Sequence, residues 1–416
     1  MMNRFIVYFV LAIFLLSSCK TTNTMMDFGP KTSNDISEKD IVVNAEDFSK
    51  PRLDVAIPVF NPGKLVSTEE GKSWNELRKS ESIIFAYRLK ESIEKIDRFG
   101  AVRVTPDSSA TSDLYISGEI LESDSREIRL KIQVVDIAGN MWFSKKFKEE
   151  VSEKFWSDPK NSRSSSITDP YQPIFDKIAV EVAKKIKFSS SENLEKLKDV
   201  SNLRFGINLS EESFNEYIAI NKNKKYEIVK KLNENDPKYL RLTNLRVRDQ
   251  MFIDELQYNY KAFDDEISNS YRVWQQQTYS ELEAESQAKT EAFGKALGGI
   301  LMLGAAVLGA YAAANSGSYD YNTQALGGAA AIGGGIAGAS LLKESFKKSE
   351  EAKIHRDAIN ELGQSLDSEL SSRVIEFERE TIELTGTAQE QFSQWRNFLK
   401  LIYAKEKIQN DAININ

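Results

Sequence analysis

The stretches DLYISGEI at residues 113–120 and REIRLKIQVV at residues 126–135 decide the fold class of this chain. In both, apolar residues alternate with polar ones, as expected for β-strands with one face on a core and the other in water. The polar residues 123–125 between them mark a turn. A second turn over residues 136–140 leads into MWFSKKF at residues 141–147. The pattern therefore predicts three antiparallel strands in succession.

The flanking sequence completes a domain over residues 51–188. LDVAIPVFNPG at residues 53–63 predicts a strand closed by a turn, and AVRVTP at residues 101–106 predicts another strand. Between them, apolar residues at steps of three and four predict a helix over residues 75–97. A second helix begins at Asp169-Pro170, an N-cap followed by proline. Strand, helix, four strands and helix form an α+β fold, with a mixed or antiparallel sheet covered by two helices.

Three segments of this domain resemble a family of envelope proteins: VAIPVFNPG at residues 55–63, DLYISGEI at residues 113–120, and VVDIAGNMW at residues 134–142. The domain resembles the amino-terminal domain of the translocation protein TolB. It also resembles the related domains of the curli secretion lipoprotein and the penicillin-binding-protein activator lipoprotein. The resemblance implies a protein that acts by contact with other proteins, not as an enzyme. No binding residue is carried over from the family, because none of the matched segments here is a site motif.

The rest of the chain is predicted to be mainly helical. We expect short helices over residues 189–236, a long helix over 237–295, a second long helix over 343–384 and a last helix over 387–410. One apolar stripe follows the first long helix through Phe252, Leu256, Tyr260, Phe263, Ile267, Tyr271 and Trp274. Phe252, Phe263 and Trp274 are eleven residues apart, a period that favours straight packing over a leucine-zipper supercoil. Such a stripe is also typical of an ordinary bundle helix.

The last helix begins with a capping box, because Thr387 is followed three residues later by Glu390. The second long helix carries apolar residues that include Leu370, Val374 and Phe377. The two long helices are expected to pair as an antiparallel hairpin. The first, from residue 237 to 295, would measure about 80 Å if unbroken.

The tip of this hairpin is the Gly/Ala-rich segment over residues 296–342. Two apolar runs, LGGILMLGAAVLGAYAAA and ALGGAAAIGGGIAGASLL, are joined by the polar NSGSYDYNTQ. Each run is near the roughly 20 residues that cross a bilayer. Small residues four apart let helix backbones approach closely, as in a glycine zipper. The predicted helix-packing glycines are Gly294, Gly298, Gly304, Gly309, Gly328, Gly334 and Gly338.

Two other interpretations of this segment remain open. GGGIAG at residues 333–338 fits the dinucleotide-binding pattern G-x-G-x-x-G, but that pattern requires a preceding strand and a second strand ending in an acid. Alanines precede the motif here, and Glu350 and Glu351 follow within a charged helical stretch. The other interpretation is a tightly packed helical pair outside any membrane.

The amino terminus predicts a lipid anchor. Residues 1–18 combine a basic start, an apolar core and small residues at the cleavage site, as in a secretory signal peptide. Leu16, Ser17, Ser18 and Cys19 resemble a bacterial lipobox, which implies that Cys19 becomes the acylated first residue of the mature protein. Lys20 follows in place of the aspartate that retains such proteins at the inner membrane, so the outer membrane is favoured. An ordinary anchor helix with a chance cysteine is the alternative. Residues 19–50 are predicted to form a polar tether between the lipid and the first domain.

Composition excludes several kinds of chemistry. The 416 residues carry a net charge of −7 with interspersed signs, so no nucleic acid partner is expected. One cysteine excludes a disulfide within the chain, and the only histidine, His355, has no metal-ligand companions at usable spacing. No pair of carboxylates stands out for acid–base catalysis. We expect no cofactor, no metal and no enzymatic activity.

These features together predict a noncatalytic outer-membrane lipoprotein with its folded domain in the periplasm. Its predicted partners are the lipid bilayer through acylated Cys19, other copies of itself, and an unidentified envelope protein. Two further hypotheses are an oligomeric helical pore or export component, and a regulator of a cell-wall synthase.

Overall fold

A five-stranded mixed sheet is at the centre of the computed structural model. The structure describes residues 50–64, 72–158, 161, 169–313, 373–377 and 380–414, with backbone alone over 72–74, 281, 284–313 and 406–414. The strands are β1 (Val55–Pro58), β2 (Val102–Thr105), β3 (Leu114–Ser123), β4 (Glu127–Asp136) and β5 (Met141–Glu150). They lie in the order β2-β1-β3-β4-β5. β1 is parallel to both neighbours, whereas β3, β4 and β5 are antiparallel.

Two helices cover the apolar face of this sheet. They are α1 (Lys72–Glu94) and α3 (Gln172–Lys187), with the short α2 (Glu153–Ser157) before the latter. Burial alternates along β3 and β4, and the register places Ile116 opposite Val134 and Ile120 opposite Leu130. α1 and α3 pack against each other and against the sheet. The predicted α+β class, with a mixed sheet and two helices, is confirmed.

The segment after the sheet contains more than the short helices that the sequence predicted. α4 (Ser191–Leu209) spans 19 residues and is followed by α5 (Glu211–Phe214). β6 (Ile218–Ile220) and β7 (Tyr226–Ile228) then form an antiparallel hairpin. Three-residue strands are too short to show a clear alternation, and this explains why the sequence pattern did not predict them.

The long helix α6 (Pro237–Ala313) continues 18 residues beyond its predicted end and spans 77 residues, about 115 Å. All seven residues of the predicted apolar stripe are buried. They belong to the same apolar cluster as the sheet, α4 and the last helix, α7 (Ala388–Asn414). The first part of α6 is therefore built into the core of the domain.

The capping box at the start of α7 is confirmed. The Thr387 amide donates to Glu390 at 2.8 Å, and the Glu390 amide donates to the Thr387 hydroxyl at 3.3 Å. Phe392, Trp395 and Leu399, at helical spacing along α7, are buried.

The prediction of a helix over residues 343–384 is wrong at its carboxyl end. β8 (Arg373–Phe377) and β9 (Glu380–Leu384) form an antiparallel hairpin there. Val374 and Phe377 satisfy helical spacing, but Ile375 and Phe377 equally satisfy the alternation of a strand. The hairpin lies beside α6, where Arg373 forms a 3.0 Å ion pair with Glu255.

Several predictions lie outside the described residues: the signal peptide, the tether before Lys50, the second Gly/Ala run, His355 and the helix over 343–372. The first Gly/Ala run is described as backbone, and it is helical up to Ala313. Among the described residues, no helix is both long and apolar enough to span a bilayer.

Candidate functional site

A cleft of about 900 Å³ is a candidate binding site in the described part of the chain. Its walls are the turn between β4 and β5, the first half of α4, and the β6–β7 hairpin. We refer to it as the α4 cleft. The turn is the VVDIAGNMW segment, one of the three segments that carry the family resemblance.

Asp136 holds the turn wall of the α4 cleft in place. Its carboxylate accepts hydrogen bonds from the Asn140 amide at 2.8 Å and from the indole nitrogen of Trp142 at 3.1 Å. Gly139 adopts a φ of +90°, a left-handed conformation that suits glycine. The indole of Trp142 is thus fixed as a surface of the cleft.

The hairpin wall is joined to the turn through backbone and side chains. The Tyr226 amide donates to the carbonyl of Ala138 at 2.9 Å. The guanidinium of Arg204 lies 4.1 Å from the centre of the Tyr226 ring and donates to the carbonyl of Ile137 at 2.6 Å. A cation–π contact at this distance stabilises the ring position. The cleft is therefore preformed on two sides.

The α4 cleft is acidic. Five carboxylates and two lysines line it: Asp136, Glu192, Glu195, Asp199, Glu227, Lys196 and Lys231. Burial raises the pKa of Asp199; Lys231 opposes this effect, while Glu234 and Glu195 add to it. A negative surface with an aromatic wall suits a basic or aromatic segment of a partner protein.

Among the described residues, no cluster of His, Cys, Asp and Glu is arranged to hold a metal ion.

A first buried polar cluster attaches α6 to α1 and β3. Glu81 on α1 accepts from the Tyr271 hydroxyl at 2.8 Å, from Ser123 at 2.7 Å and from Arg78 at 2.9 Å. Glu81 itself is fully buried. Burial raises its pKa above the ordinary value, and Arg78, Ser123 and Tyr271 only partly oppose this rise. The carboxyl therefore links α1, β3 and the long helix.

Arg88 extends this cluster along α6. Its guanidinium donates to Asp169 at 2.5 Å and to Asp264 at 3.3 Å, and it lies 5.6 Å from the centre of the Tyr271 ring. Buried ion pairs of this kind contribute little net stability, but removing one partner is costly. The cluster therefore sets the position of α6 on the domain.

A second buried cluster joins α6 to α4, to α7 and to the residue that precedes β3. Asp249 on α6 pairs with Arg396 on α7 at 2.6 Å. Arg246, one turn earlier, donates to Ser201 at 2.7 Å and lies 3.5 Å from Asp113. Burial raises the pKa of Asp249, and the positive charge of Arg396 works against that rise. The two clusters hold α6 at separate points along its length.

Glu81 gives the protein a testable pH dependence. Its folded-state pKa is raised, so the protonated carboxyl favours the folded state, and this contribution is lost as pH rises through that pKa. We expect the free energy of unfolding of the native protein to exceed that of Glu81→Gln by most at low pH. This margin should shrink towards pH 7. Urea unfolding across this range measures the difference. Glu266→Gln, on an exposed part of α6, is the matched control for the substitution itself.

The site residues predicted from the sequence are not brought together by the described structure. Leu16, Ser17, Ser18 and Cys19 lie outside the described residues, as do Gly328, Gly334 and Gly338. Gly294, Gly298, Gly304 and Gly309 lie on the backbone of α6. Their role in helix packing remains a prediction.

Sequence reasoning missed the buried ion pairs. A signal was present, because Asp249 lies three residues before Phe252 on the buried face of α6, and Arg396 directly follows Trp395. A charge on a buried apolar face requires a partner of opposite charge. The pattern could therefore indicate that each residue has a partner, although it could not identify that partner.

Comparison with known proteins leaves the family open. No family model matches the chain, and no curated protein matches it. The chain is similar to a solved structure of a PelC variant dodecamer from Paraburkholderia phytofirmans, at 14% identity. That match covers 33% of this chain and 92% of the other, with a TM-score of 0.19. A score of this size does not indicate a shared fold.

Proposed function

We propose that this protein is a noncatalytic envelope lipoprotein, anchored at the outer membrane through Cys19, that acts by protein–protein contact and by self-association. In this proposal the Gly/Ala-rich segment over residues 296–342 inserts into a membrane as a helical hairpin and associates with other copies. The α4 cleft binds a basic segment of a partner protein.

The observation that carries the proposal is the continuity of α6. Its first half, from Leu242 to Trp274, is buried in the domain core and held by two ion-pair clusters. The same helix continues without a break to Ala313 and includes most of the first Gly/Ala run. An unbroken helix of 30 residues beyond Glu283 measures about 45 Å. The helix that is buried in the domain core is therefore the same helix that carries most of the first Gly/Ala run.

The lipid anchor assigned to Cys19 supports an associating role for the hairpin. The lipobox resemblance implies three acyl chains on Cys19, and these attach a protein stably, since each buried methylene contributes roughly 0.8 kcal/mol. A second membrane element is then not needed for attachment alone. Glycines four residues apart at Gly294 and Gly298, and again at Gly334 and Gly338, suit close helix–helix contact.

The test is deletion of residues 296–342 in the full-length lipoprotein with Cys19 retained. We expect the variant to remain acylated and membrane-bound, because the anchor is unchanged, but to lose detergent-resistant oligomers. Palmitate labelling with and without globomycin measures acylation, and gel electrophoresis in mild detergent measures the oligomers.

A matched pair of variants separates the two parts of the proposal. Gly334→Leu with Gly338→Leu keeps the segment length but fills the packing face, and it should also lose the oligomers. Cys19→Ala should abolish labelling while leaving the hairpin intact. Unchanged oligomers after the deletion would refute self-association through the hairpin, and labelling that persists in Cys19→Ala would refute the lipid anchor.

A further inference from the structure

The carboxyl end of α3 carries a patch of positive charge around an exposed aromatic side chain. Phe188 directly follows the helix and is 83% exposed. Lys184, Lys185 and Lys187 are exposed as well. By helical geometry these four residues fall within about 160° of one another around the helix, on the side opposite the buried Ile186. We call Lys184, Lys185, Lys187 and Phe188 the α3 patch.

The positive charge of the α3 patch is not cancelled by its neighbours. Residues 182–191 contain these three lysines and no acidic residue. The acidic residues on either side already have partners, because Glu181 pairs with Lys145 and Glu192 pairs with Lys196 at 2.7 Å. Within the described part of the chain the three patch lysines form no ion pair of their own. A net positive charge therefore remains on this surface.

The chain enters the domain beside the α3 patch. The Lys50 amine donates to the carbonyl of Lys187 at 2.9 Å and to that of Ser189 at 3.1 Å. Lys50 is the residue at which the predicted polar tether from Cys19 ends. A flexible polar chain of about 30 residues has an end-to-end distance of roughly 30 Å. The tether and its lipid anchor would therefore keep this side of the domain close to the membrane surface.

The chemistry of the α3 patch matches an anionic lipid surface. Lysines near such a surface are attracted to its headgroups over about 8 Å at physiological ionic strength. An exposed phenyl ring adds apolar area that the boundary between headgroups and acyl chains can accept. Because the tether makes this contact intramolecular, a surface of weak intrinsic affinity is enough.

We propose that the α3 patch binds anionic phospholipid headgroups of the membrane that holds the acyl anchor, and that this contact orients the folded domain on that membrane. The proposal rests on the lipid anchor of the proposed function, but it is independent of the Gly/Ala hairpin. Ser189 also lines the α4 cleft. The docked domain would therefore hold that cleft near the lipid surface.

The test places a fluorescent probe beside the α3 patch in the full-length lipoprotein. Cys19 is the only cysteine of the chain, and acylation removes its thiol, so Ser191→Cys can be labelled alone with an environment-sensitive dye. Ser191 is exposed and lies three residues after Phe188. The purified protein is incubated with an excess of phosphatidylethanolamine and phosphatidylglycerol vesicles that carry a nitroxide-labelled lipid. The parent chain, treated with the dye in the same way, sets the background.

We expect a blue-shifted probe that the nitroxide quenches. Both signals should be lost in about 1 M salt, which shortens the screening length to roughly 3 Å. Vesicles of phosphatidylethanolamine and phosphatidylcholine, which carry no net charge, should leave the probe unquenched.

The opposite edge of the sheet offers a control position for the probe. α3 packs against β5, and β5 and β2 are the two edges of the sheet. The β8–β9 hairpin lies on the β2 side, because Arg373 pairs with Glu255 and the adjacent Asp254 pairs with Arg103 on β2. Val374 on this hairpin is 66% exposed. A probe on Val374→Cys should stay unquenched.

Substitutions within the α3 patch separate its charge from its apolar contact. Lys184→Gln, Lys185→Gln and Lys187→Gln together should lower the ratio of quenched to unquenched probe by about tenfold or more. Phe188→Ala should reduce the blue shift while the salt dependence persists. Circular dichroism checks that each variant retains its helices.

A second triple substitution is the matched control for net charge. Lys222→Gln, Lys224→Gln and Lys238→Gln remove the same number of charges from exposed positions elsewhere. This variant should show the same quenching as the parent protein.

Three outcomes overturn the proposal. Quenching that is no stronger at position 191 than at position 374 would mean that the domain meets the membrane without a fixed orientation. Quenching that survives the triple substitution in the patch would mean that the lysines do not bind. Equal quenching on vesicles without net charge would mean that anionic headgroups are not recognised.

Palmitate labelling of the same protein measures the lipid anchor separately. A labelled protein with an unquenched probe overturns the α3 patch and leaves the anchor in place. A quenched probe on a protein without palmitate overturns the anchor and keeps the patch. Absence of both signals overturns both.

Discussion

Replacing Arg396 with methionine is expected to lower the free energy of unfolding by about 3–5 kcal/mol, because it leaves Asp249 buried without its cation. The side chains of Arg396 and Asp249 are only 10% and 1% exposed, and the two charged groups are 2.6 Å apart. Arg396 also lies 5.4 Å from the Phe205 ring and 5.6 Å from the Phe392 ring. Denaturant unfolding of the full chain, monitored by tryptophan fluorescence, measures the loss.

Two controls identify the unpaired charge as the cause. Adding Asp249→Asn to Arg396→Met should recover part of the lost stability, since the buried charge is removed. Arg373→Met breaks the Glu255 pair, in which Glu255 is 58% exposed, and should cost less than about 1 kcal/mol. The defect of Arg396→Met should also shrink in acid, because burial already raises the pKa of Asp249 and protonation removes its charge. A loss in Arg396→Met no larger than that in Arg373→Met would contradict this interpretation.

Replacing Phe252 with alanine is expected to cost about 3–5 kcal/mol and to loosen α7 from α6. The Phe252 ring stacks on Trp395 at 5.4 Å and on Phe392 at 6.3 Å, and Phe252 is 3% exposed. Truncation leaves a cavity between the two helices at their main aromatic contact. Hydrogen exchange should therefore speed up in α7 more than in the strands of the sheet.

Phe188→Ala is the matched control for this prediction. Phe188 is 83% exposed at the end of α3, so its truncation should change stability by less than about 0.5 kcal/mol. Phe252→Leu retains most of the buried volume, so its loss of stability should lie between the losses in Phe188→Ala and Phe252→Ala. If exchange in α7 stays at its native rate in Phe252→Ala, the aromatic contact does not hold this helix.

The elements predicted correctly from the sequence are those with a strong local signal. Strict alternation over 126–135 predicted β4, and the step of three and four residues predicted α1. The helix α3 was also predicted, but it begins at Gln172 with Tyr171 as its N-cap, and not at Asp169-Pro170. The capping box at Thr387 and Glu390 predicted the start of α7, because both hydrogen bonds lie within one helical turn. These patterns depend on neighbours along the chain, so tertiary structure did not override them.

The elements that were missed lack such a signal. The β6 and β7 strands have three residues each, and residues 373–384 fit both a helical and a strand pattern. For residues 373–384, the contact of Arg373 with Glu255, 118 residues away in the sequence, contributes to the structure that forms. The α4 cleft was also missed, since its walls come from three separate parts of the chain.

The sequence by itself determined the α+β class, the apolar stripe of α6 and the Gly/Ala segment that follows it, because each is a periodicity or composition within one stretch. Only the tertiary structure decided where the stripe is buried: in the described part of the chain the sheet domain and α7 cover it. Most of the partner helix that the sequence suggested, over 343–384, lies outside that part. The physical reason is that an amphipathic helix specifies how much apolar surface must be buried, but not which partner buries it. The partner depends on long-range pairs such as Asp249 with Arg396 and Glu81 with Tyr271, whose sequence separations of 147 and 190 residues leave no local pattern.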